Sequence, residues 1–278
     1  RRAGLPALVA SLPENMPEHA AEKISALGMI PGQGLQEHVQ ATAGAARIGA
    51  FQAAPQPSPT VLPGAEGAGV RLIDEAAAKT ALAAFGLPVP EQTVCRDEDE
   101  VAAAVARFGT AAAKILGDFA HKTELGGVRL GLSGAEEARA AARELLAISD
   151  RVLVEPMAGK PVVEMILGVA RDPVLGLHLV VGAGGVLTEI LADSALLLFP
   201  LQRSEIETAL QSLKVWPLLE GYRGAPAGDV PALIDAIEAL GRFVESQADS
   251  LAELDINPLF VHPAGQGVTA VDALIRRG

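Results

Sequence analysis

Three oxygen-bearing side chains alternate with apolar residues near the end of the sequence, in the segment ELDINPL. On a strand, Glu253, Asp255 and Asn257 would share one face, because successive side chains point to opposite sides. A turn over 262–267 returns the chain through Asp272, and two antiparallel strands joined in this way bring Asn257 and Asp272 within reach of one metal ion. Magnesium prefers hard oxygen ligands, commonly one or two carboxylates plus phosphate and water. The residues alone predict either such a magnesium site or a solvated strand face.

Two upstream segments supply cations and a histidine. Lys114 lies in the apolar strand AAAKIL, where an unpaired ammonium is costly to bury. Either its stem packs while its tip reaches solvent, or the side chain reaches into a site and binds phosphate. His121 opens the segment HKTELGGVR, whose paired glycines permit a mobile loop. This histidine is a candidate phosphoryl acceptor beside the cations Lys122 and Arg129, and the alternative is a surface hairpin with a solvated histidine.

Two further segments carry weaker signals. Glu155 and Met157 lie in VEPM, at the end of a predicted strand in the middle of the domain. This position suits a hinge that contacts adenine, and it also suits an ordinary strand end. The glycine-rich residues 182–185 follow an apolar strand, but they lack the G-x-G-x-x-G spacing of a dinucleotide site and also suit a plain turn.

Composition excludes several classes of protein. Half of the 278 residues are hydrophobic but only 3% are aromatic, so the core must consist of Ala, Leu and Val. A formal net charge of −12 argues against a nucleic-acid surface, which needs a basic face. Cys95 is the only cysteine, which fits a reducing, cytoplasmic setting. The longest apolar stretch, 176–200, is interrupted by His178, Glu189 and Asp193, so no membrane span is expected.

The composition and the predicted secondary structure change twice along the chain. Residues 1–50 predict one strand and two helices, which cannot close a sheet and therefore indicate the tail of an α/β domain. Residues 51–69 have the composition of a proline-rich linker. Residues 70–278 predict two α+β lobes with a cleft between them. The sequence begins Arg-Arg without an initiator Met, from which we expect further residues upstream.

Several element boundaries are predicted inside this larger region. A helix is expected over 72–85, and a later one over 135–148 with Ser133 as its cap. Residues 187–192 predict a strand. Pro258 predicts that its strand lies at an edge or that regular pairing ends there.

Taken in order, these segments resemble the ATP-grasp domain of the ADP-forming acyl-CoA synthetases, relatives of succinyl-CoA synthetase and its beta subunit. The resemblance covers roughly residues 70–277 and comprises GLPVPE, the lysine strand, HKTELGGVRL, VEPM, EMILGVARDPVLG, GAGGVLTEILAD, PLLEGYRG, ELDINPL and VDA. Residues 1–50 are similar to the closing segment of a CoA-ligase domain. The fold implied is an α+β ATP-grasp fold of two lobes, preceded by the tail of an α/β CoA-ligase domain.

The resemblance implies a ligase that converts acid, CoA and ATP to acyl-CoA, ADP and phosphate through a phosphohistidine relay. This chain would be the ATP-binding half, using ATP or ADP with Mg²⁺, and alone would not complete the reaction. Its partners would be upstream CoA-binding and CoA-ligase domains of the same protein, with CoA and a carboxylic acid as substrates. A homodimer is the oligomeric state expected for this chain.

The resemblance also implies roles at the nucleotide site. Lys114 would bind the ATP phosphates, and Glu155 with Met157 would border adenine. Glu164 would lie in the nucleotide cleft.

Four further residues would carry the metal and the relay. Asn257 and Asp272 would hold Mg²⁺, and His121 would act as a second phosphoryl carrier. Asp255 would stabilise the phosphorylated histidine. The residues GDFA before His121 depart from the Ser-Pro turn common in the family.

Two alternative functions share parts of this pattern. In some lysine acetyltransferases a synthetase-like region is a non-catalytic regulatory, nucleotide-binding part, which predicts an eroded nucleotide site. Here Lys114, His121, Asn257 and Asp272 are all present, which favours the enzyme. An unrelated carboxylate–amine ligase of the ATP-grasp class has no need of the HKTELGGV loop.

Overall fold

The computed structural model describes residues 8–11, 16–53, 61–67, 69–119, 122–185 and 193–278. The chain divides into two compact units, residues 1–59 and 60–278. In the described part of the chain, no helix is both long and apolar enough to cross a membrane.

The first unit contains a parallel strand pair. Strand β1 (Leu8–Ser11) pairs with β2 (Ile30–Gln33), and helix α1 (Glu18–Ala26) lies between them in the sequence. Helix α2 (Leu35–Ala53) follows. The sequence predicted β1 and both helices but missed β2, because IPGQ contains a proline and a glycine, which are depleted in strands. The assignment of this unit to a CoA-ligase domain stays a prediction.

The second unit begins with an element that the sequence misjudged. The helix expected over 72–85 is strand β3 (Arg71–Ile73) followed by helix α3 (Glu75–Ala83). Asp74 separates the two, because its side chain accepts a hydrogen bond from the amide of Ala77 at 2.9 Å and so begins the helix. Residues 71–73 pair with the last strand of the chain. They are therefore extended although their hydrophobic periodicity is helical, because the strand pairing is a tertiary contact that the local pattern does not report.

One lobe of this unit is a four-stranded sheet covered by two helices. Its elements are β4 (Thr93–Cys95), α4 (Glu98–Phe108), β5 (Ala111–Ile115), β6 (Val128–Leu132), α5 (Ala135–Leu146) and β7 (Val152–Pro156). The strand order is β4-β7-β5-β6, and every pairing is antiparallel. The expected cap of α5 is wrong: Gly134 occupies the cap position, and the amide of Ser133 instead donates to Glu137.

The other lobe is a larger antiparallel sheet. Its order is β10-β9-β8-β11-β13-β3, with β12 also paired to β11. The elements not yet given are β8 (Val163–Asp172), β9 (Gly176–Ala183), β10 (Ser194–Leu198), α6 (Arg203–Ser212), α7 (Trp216–Leu219), α8 (Val230–Ser246), β11 (Leu251–Val261), β12 (Val268–Ala270) and β13 (Leu274–Arg277). The strand expected over 187–192 lies outside the described residues.

Strand β11 is central to this sheet, so of the two outcomes expected at Pro258, an edge strand or an end of regular pairing, the structure bears out the second. It pairs with β8 on one side, and with β13 and then β12 on the other. Pairing is nevertheless interrupted near the proline, because the register with β8 shifts between Ile256 and Leu259. Strand β13 covers residues 251–255 and β12 covers 259–261, which leaves Asn257 between the two partners.

Cys95 is fully buried at the end of β4. Burial, followed by the nearby carboxylates of Glu100 and Asp97, raises the pKa of this thiol to about 11. Since the thiolate is the reactive form, we expect disulfide reagents at pH 8 to label the native chain at least about a hundredfold more slowly than the urea-unfolded chain. Equal labelling rates for the native and unfolded chains, followed by absorbance, would contradict this burial.

Candidate functional site

A cleft of about 440 Å³ lies between the two lobes of the second unit. Strand β11 and the connection between β12 and β13 form one wall. The end of β5 and the turn after it form the other. The lining includes Leu72, Ile73, Glu75, Ile115, Leu116, Gly117, Phe119, Lys122, Thr123, Glu253, Asp255, Asn257, Asp272, Leu274 and Arg276.

The oxygen-bearing residues of β11 all line this cleft. Glu253, Asp255 and Asn257 do so from alternate positions of the strand, as their spacing predicts. Asp272 joins them, but from the short connection between β12 and β13 rather than from a strand. Asn257 is exposed, while Asp255 and Asp272 are half-buried.

The carboxylates of the cleft repel one another. Burial, then Asp272 and then Glu253, raises the pKa of Asp255 to about 6. Burial and the carboxylate of Glu75 also raise the pKa of Asp272, although Lys114 and Lys122 oppose this shift. A cation in the cleft would relieve both repulsions.

These donors fit a magnesium ion that is held only in part by protein. The cleft offers hard oxygen atoms from Asp255, Asp272 and the amide of Asn257. Among the described residues, no three His, Cys, Asp or Glu side chains converge as a self-sufficient metal site. One or two carboxylates beside an amide are what magnesium accepts when phosphate and water complete its shell.

A buried network of four charged side chains adjoins the acidic wall, which is the side of the cleft formed by Glu253, Asp255, Asn257 and Asp272. The ammonium of Lys79 is 2.8 Å from Oε1 of Glu75 and 2.6 Å from Oε1 of Glu155. The ammonium of Lys114 is 2.7 Å from Oε1 of Glu75 and 3.0 Å from Oε2 of Glu155. All four residues are at least 95% buried, so their charges interact with little screening by solvent.

The network shifts the pKa values of its members in opposite directions. Burial alone would raise the pKa of Glu75, but Lys114, Lys79 and Lys122 together hold it well below its usual range. Burial lowers the pKa of Lys114, yet Glu75, Glu155 and Asp272 outweigh burial and raise it. The pKa of Lys79 is lowered by burial and by the neighbouring ammonium of Lys114.

The same network fixes the backbone beside Asp272. Both buried ammonium groups donate to the carbonyl oxygen of Val271, Lys79 at 2.6 Å and Lys114 at 2.7 Å. The amide of Val271 donates to the carbonyl of Pro258 at 3.0 Å. The connection that carries Asp272 is therefore held against β11 next to Asn257.

Among the described residues two cations line the cleft, Lys122 and Arg276, and Arg276 lies 3.6 Å from Glu253. Lys122 contacts two other carboxylates. Its ammonium contacts Glu75 and lies 3.2 Å from Oδ1 of Asp272. Arg129, the other cation of that segment, instead pairs with Glu144 of α5 at 2.6 Å. His121 lies outside the described residues.

The remaining predicted residues do not line this cleft. Lys114 and Glu155 belong to the buried network, and Met157, just after β7, is 39% exposed. Glu164 lies on β8 against Gly185, where an added Cβ would come within 2.4 Å of its Oε2. The positive φ of Gly185 (61°) also requires glycine there.

Comparisons with known proteins agree with this architecture. The family model of the ATP-grasp domain matches residues 64–276. The beta subunit of an ADP-forming acetate–CoA ligase II from Pyrococcus furiosus is 32% identical over 209 residues, which are 71% of this chain and 88% of that subunit. The chain belongs to the family of ATP-grasp domains found in ADP-forming acid–CoA ligases. A trans-feruloyl-CoA synthase from an unknown prokaryotic organism is 37% identical over 231 residues, 78% of this chain, and the match spans only 32% of that longer relative.

Solved structures of the family show the same fold. An acetyl-coenzyme A synthetase 1 of Ca. Korarchaeum cryptofilum, in complex with coenzyme A and Ca-AMPCP, superposes with a TM-score of 0.69 and 31% identity over 75% of this chain and 94% of that chain. The complex of that protein with coenzyme A and Mg-AMPPCP superposes with a TM-score of 0.64 and 30% identity over 73% of this chain and 92% of that chain. The α+β ATP-grasp fold predicted from the sequence is therefore confirmed.

Sequence reasoning missed two members of the buried network, Glu75 and Lys79. Their signal is a charged pair at i and i+4 in the alanine-rich helix EAAAK. Such a pair is common on exposed helix faces, so its spacing alone does not reveal burial. In this ATP-grasp domain it is buried because Lys114 and Glu155 arrive from the other lobe and complete it.

Proposed function

We propose that this chain binds Mg·ATP in the acidic cleft and serves as the ATP-using part of an ADP-forming acid–CoA ligase. The observation that carries the proposal is the convergence of Asp255, Asn257 and Asp272 on one cleft beside the segment that follows His121. The family match supports it, because ATP-grasp ligases of this type use ATP or ADP with Mg²⁺. The relatives found are synthases and ligases, which gives the regulatory alternative no support.

In this proposal the acidic wall holds the metal. Asn257 and Asp272 supply oxygen ligands to Mg²⁺, which neutralises phosphate charge when bound. The buried lysines hold the Val271 carbonyl and so keep Asp272 in place. In the same proposal Glu155 near the end of β7 and Met157 just after that strand border adenine. Glu164 of β8 faces a part of the nucleotide site that lies outside the acidic cleft.

Lys114 binds phosphate only by giving up one of its partners. Its ammonium donates to Glu75 and to the Val271 carbonyl, both at 2.7 Å, and pairs with Glu155 at 3.0 Å. A lysine ammonium has three donors, so these contacts use its full capacity. In this proposal a phosphate oxygen of ATP replaces one carboxylate partner when the nucleotide binds.

His121 carries the phosphoryl group in this proposal. The unprotonated ring nitrogen of His121 forms a bond to the γ-phosphorus of ATP while the bond to the bridging oxygen breaks, so ADP leaves and the other ring nitrogen keeps its proton. Asp255 then accepts a hydrogen bond from the other ring nitrogen of the phosphohistidine. A related synthetase of known structure is described with its phosphohistidine segment pointing towards the nucleotide-binding site, which supports this assignment.

The CoA and acyl chemistry belongs to a separate part of the enzyme. The match spans 88% of the beta subunit from Pyrococcus furiosus but only 32% of the longer trans-feruloyl-CoA synthase. We therefore place the CoA-binding and CoA-ligase domains upstream or on a partner subunit. We assign the enzyme to the cytoplasm, which its single buried thiol supports.

Calorimetric titration with Mg²⁺ and a non-hydrolysable ATP analogue tests the proposal. We expect Asn257→Ala to weaken binding at least about tenfold, because an oxygen ligand of the metal is lost. Gln266→Ala is the matched control, since it removes an amide from an exposed turn outside the cleft. Absence of binding, or equal binding by the wild-type chain and Asn257→Ala, would contradict the proposal.

A further inference from the structure

Lys122 lies where two carboxylates from different elements of the cleft converge. Its ammonium contacts Oε2 of Glu75, at the start of α3, and Oδ1 of Asp272 at 3.2 Å. Only 12% of the Lys122 side chain is exposed. The ammonium is therefore a resident positive charge inside the acidic cleft.

Backbone hydrogen bonds fix the turn that carries this side chain. The amide of Gly127 donates to the carbonyl of Lys122 at 2.7 Å, and the amide of Gly126 donates to that of Thr123 at 3.0 Å. The amide of Ile115, the last residue of β5, donates to the carbonyl of Gly127 at 2.9 Å. The strand that carries Lys114 thus also anchors the turn of Lys122.

Glu75 divides its two carboxylate oxygens between the buried network and the cleft. Oε1 faces the ammonium groups of Lys79 and Lys114, whereas Oε2 faces Lys122. Without Lys122, Oε2 of Glu75 and Oδ1 of Asp272 would both lose this cation. Two carboxylates that face one cleft in this way form a stronger site for a divalent cation than the same pair already neutralised by an ammonium.

We propose that Lys122 is a positioning residue that competes with Mg²⁺ for Asp272. In the metal-free protein its ammonium offsets part of the negative charge at Asp272, and metal binding displaces it from that carboxylate while Glu75 retains it. This inference rests on the proposed function, because it assumes that Asp272 is a metal ligand.

Titration with Mn²⁺ alone, followed by electron paramagnetic resonance, tests the competition without nucleotide or catalysis. Mn²⁺ is used because it shares the preference of Mg²⁺ for oxygen ligands. We expect Lys122→Met to bind Mn²⁺ about three- to tenfold more tightly than the wild-type chain, because the competing cation is gone. Lys214→Met, which removes the same charge from an exposed site outside the cleft, should match the wild type.

Two further measurements separate competition from a loss of structure. Lys122→Arg keeps the charge and should bind Mn²⁺ as the wild type does. The rise in melting temperature caused by saturating Mn²⁺ should be larger for Lys122→Met than for the wild type, since tighter binding stabilises the native state more. If Lys122→Met does not fold, Lys122→Gln makes the same comparison, because its amide still donates to Glu75 but carries no charge.

The outcomes distinguish this inference from the function on which it rests. Equal Mn²⁺ affinities for the wild type, Lys122→Met and Lys122→Gln would overturn the competition while leaving the metal site intact. Failure of every variant and of the wild type to bind Mn²⁺, both alone and together with the non-hydrolysable ATP analogue, would overturn both the competition and the proposed metal site.

Discussion

We expect Glu75→Gln to lower the free energy of unfolding by about 3–5 kcal/mol, the cost of removing one partner from a buried ion network. Glu75 is the residue on which the ammonium groups of Lys79, Lys114 and Lys122 converge. Neutralising it leaves three ammonium groups with the carboxylates of Glu155 and Asp272 alone. The buried lysines would then carry an uncompensated charge, which is expensive in a poorly solvated interior.

The free energy of unfolding is measured by urea denaturation followed by circular dichroism. Glu205→Gln is the matched control, because it makes the same change in the exposed first turn of α6 and should cost at most about 0.5 kcal/mol. Combining Lys79→Met with Glu75→Gln restores the balance of charges, so the double variant should lose less stability than the sum of the single ones. A loss below about 1 kcal/mol for Glu75→Gln would show that the network is not a determinant of stability.

The network also explains why part of the site could be predicted from the sequence and part could not. The common face of Glu253, Asp255 and Asn257 follows from the two-residue period of a strand, which is a local property. The place of Asp272 does not follow from that period, because it lies between two short strands and is held through the carbonyl of Val271. That carbonyl is bound by lysines 192 and 157 residues away in the sequence, and no local pattern reports such contacts.

The partners of Lys114 also could not be predicted from the sequence. Its sequence context raised the question of whether the ammonium reaches solvent or a phosphate, and the structure shows a third arrangement with Glu75 and Glu155 as partners. The sequence predicts for Glu155 only a place in the hinge segment VEPM. Its ion pair with Lys79 joins the two lobes. Its ion pair with Lys114 depends on the pairing of β5 with β7, which a single sequence does not specify.

The fold itself was predicted more fully than the site, because motifs in a fixed order identify the family even where single elements are misjudged. The mistakes lie where tertiary contacts overrule local preference. Residues 71–73 have a helical pattern but pair with β13. Pro258, for which an edge strand was one of two expected outcomes, interrupts pairing within a central strand. In both cases the partner strand is supplied by a distant part of the chain.

The second large effect concerns the phosphoryl group. We expect the chain incubated with Mg²⁺ and γ-labelled ATP to acquire an acid-labile label, and His121→Ala to reduce that label at least about a hundredfold. The reason is chemical: a phosphorus–nitrogen bond to imidazole is hydrolysed in acid, and a side chain without a nucleophilic nitrogen cannot form it. The measurement is the amount of label that remains on the denatured protein after treatment with acid, compared with the amount that remains after treatment with base.

A matched histidine variant makes the assignment specific. His19 is exposed on α1 and is not among the residues that line the cleft, so His19→Ala should keep the wild-type label. Asp255→Asn should bind the ATP analogue but retain less label, because the carboxylate that stabilises the phosphohistidine is lost. Undiminished acid-labile label in His121→Ala would assign the carrier to another residue, and the acidic wall would then hold the metal without a relay from this loop.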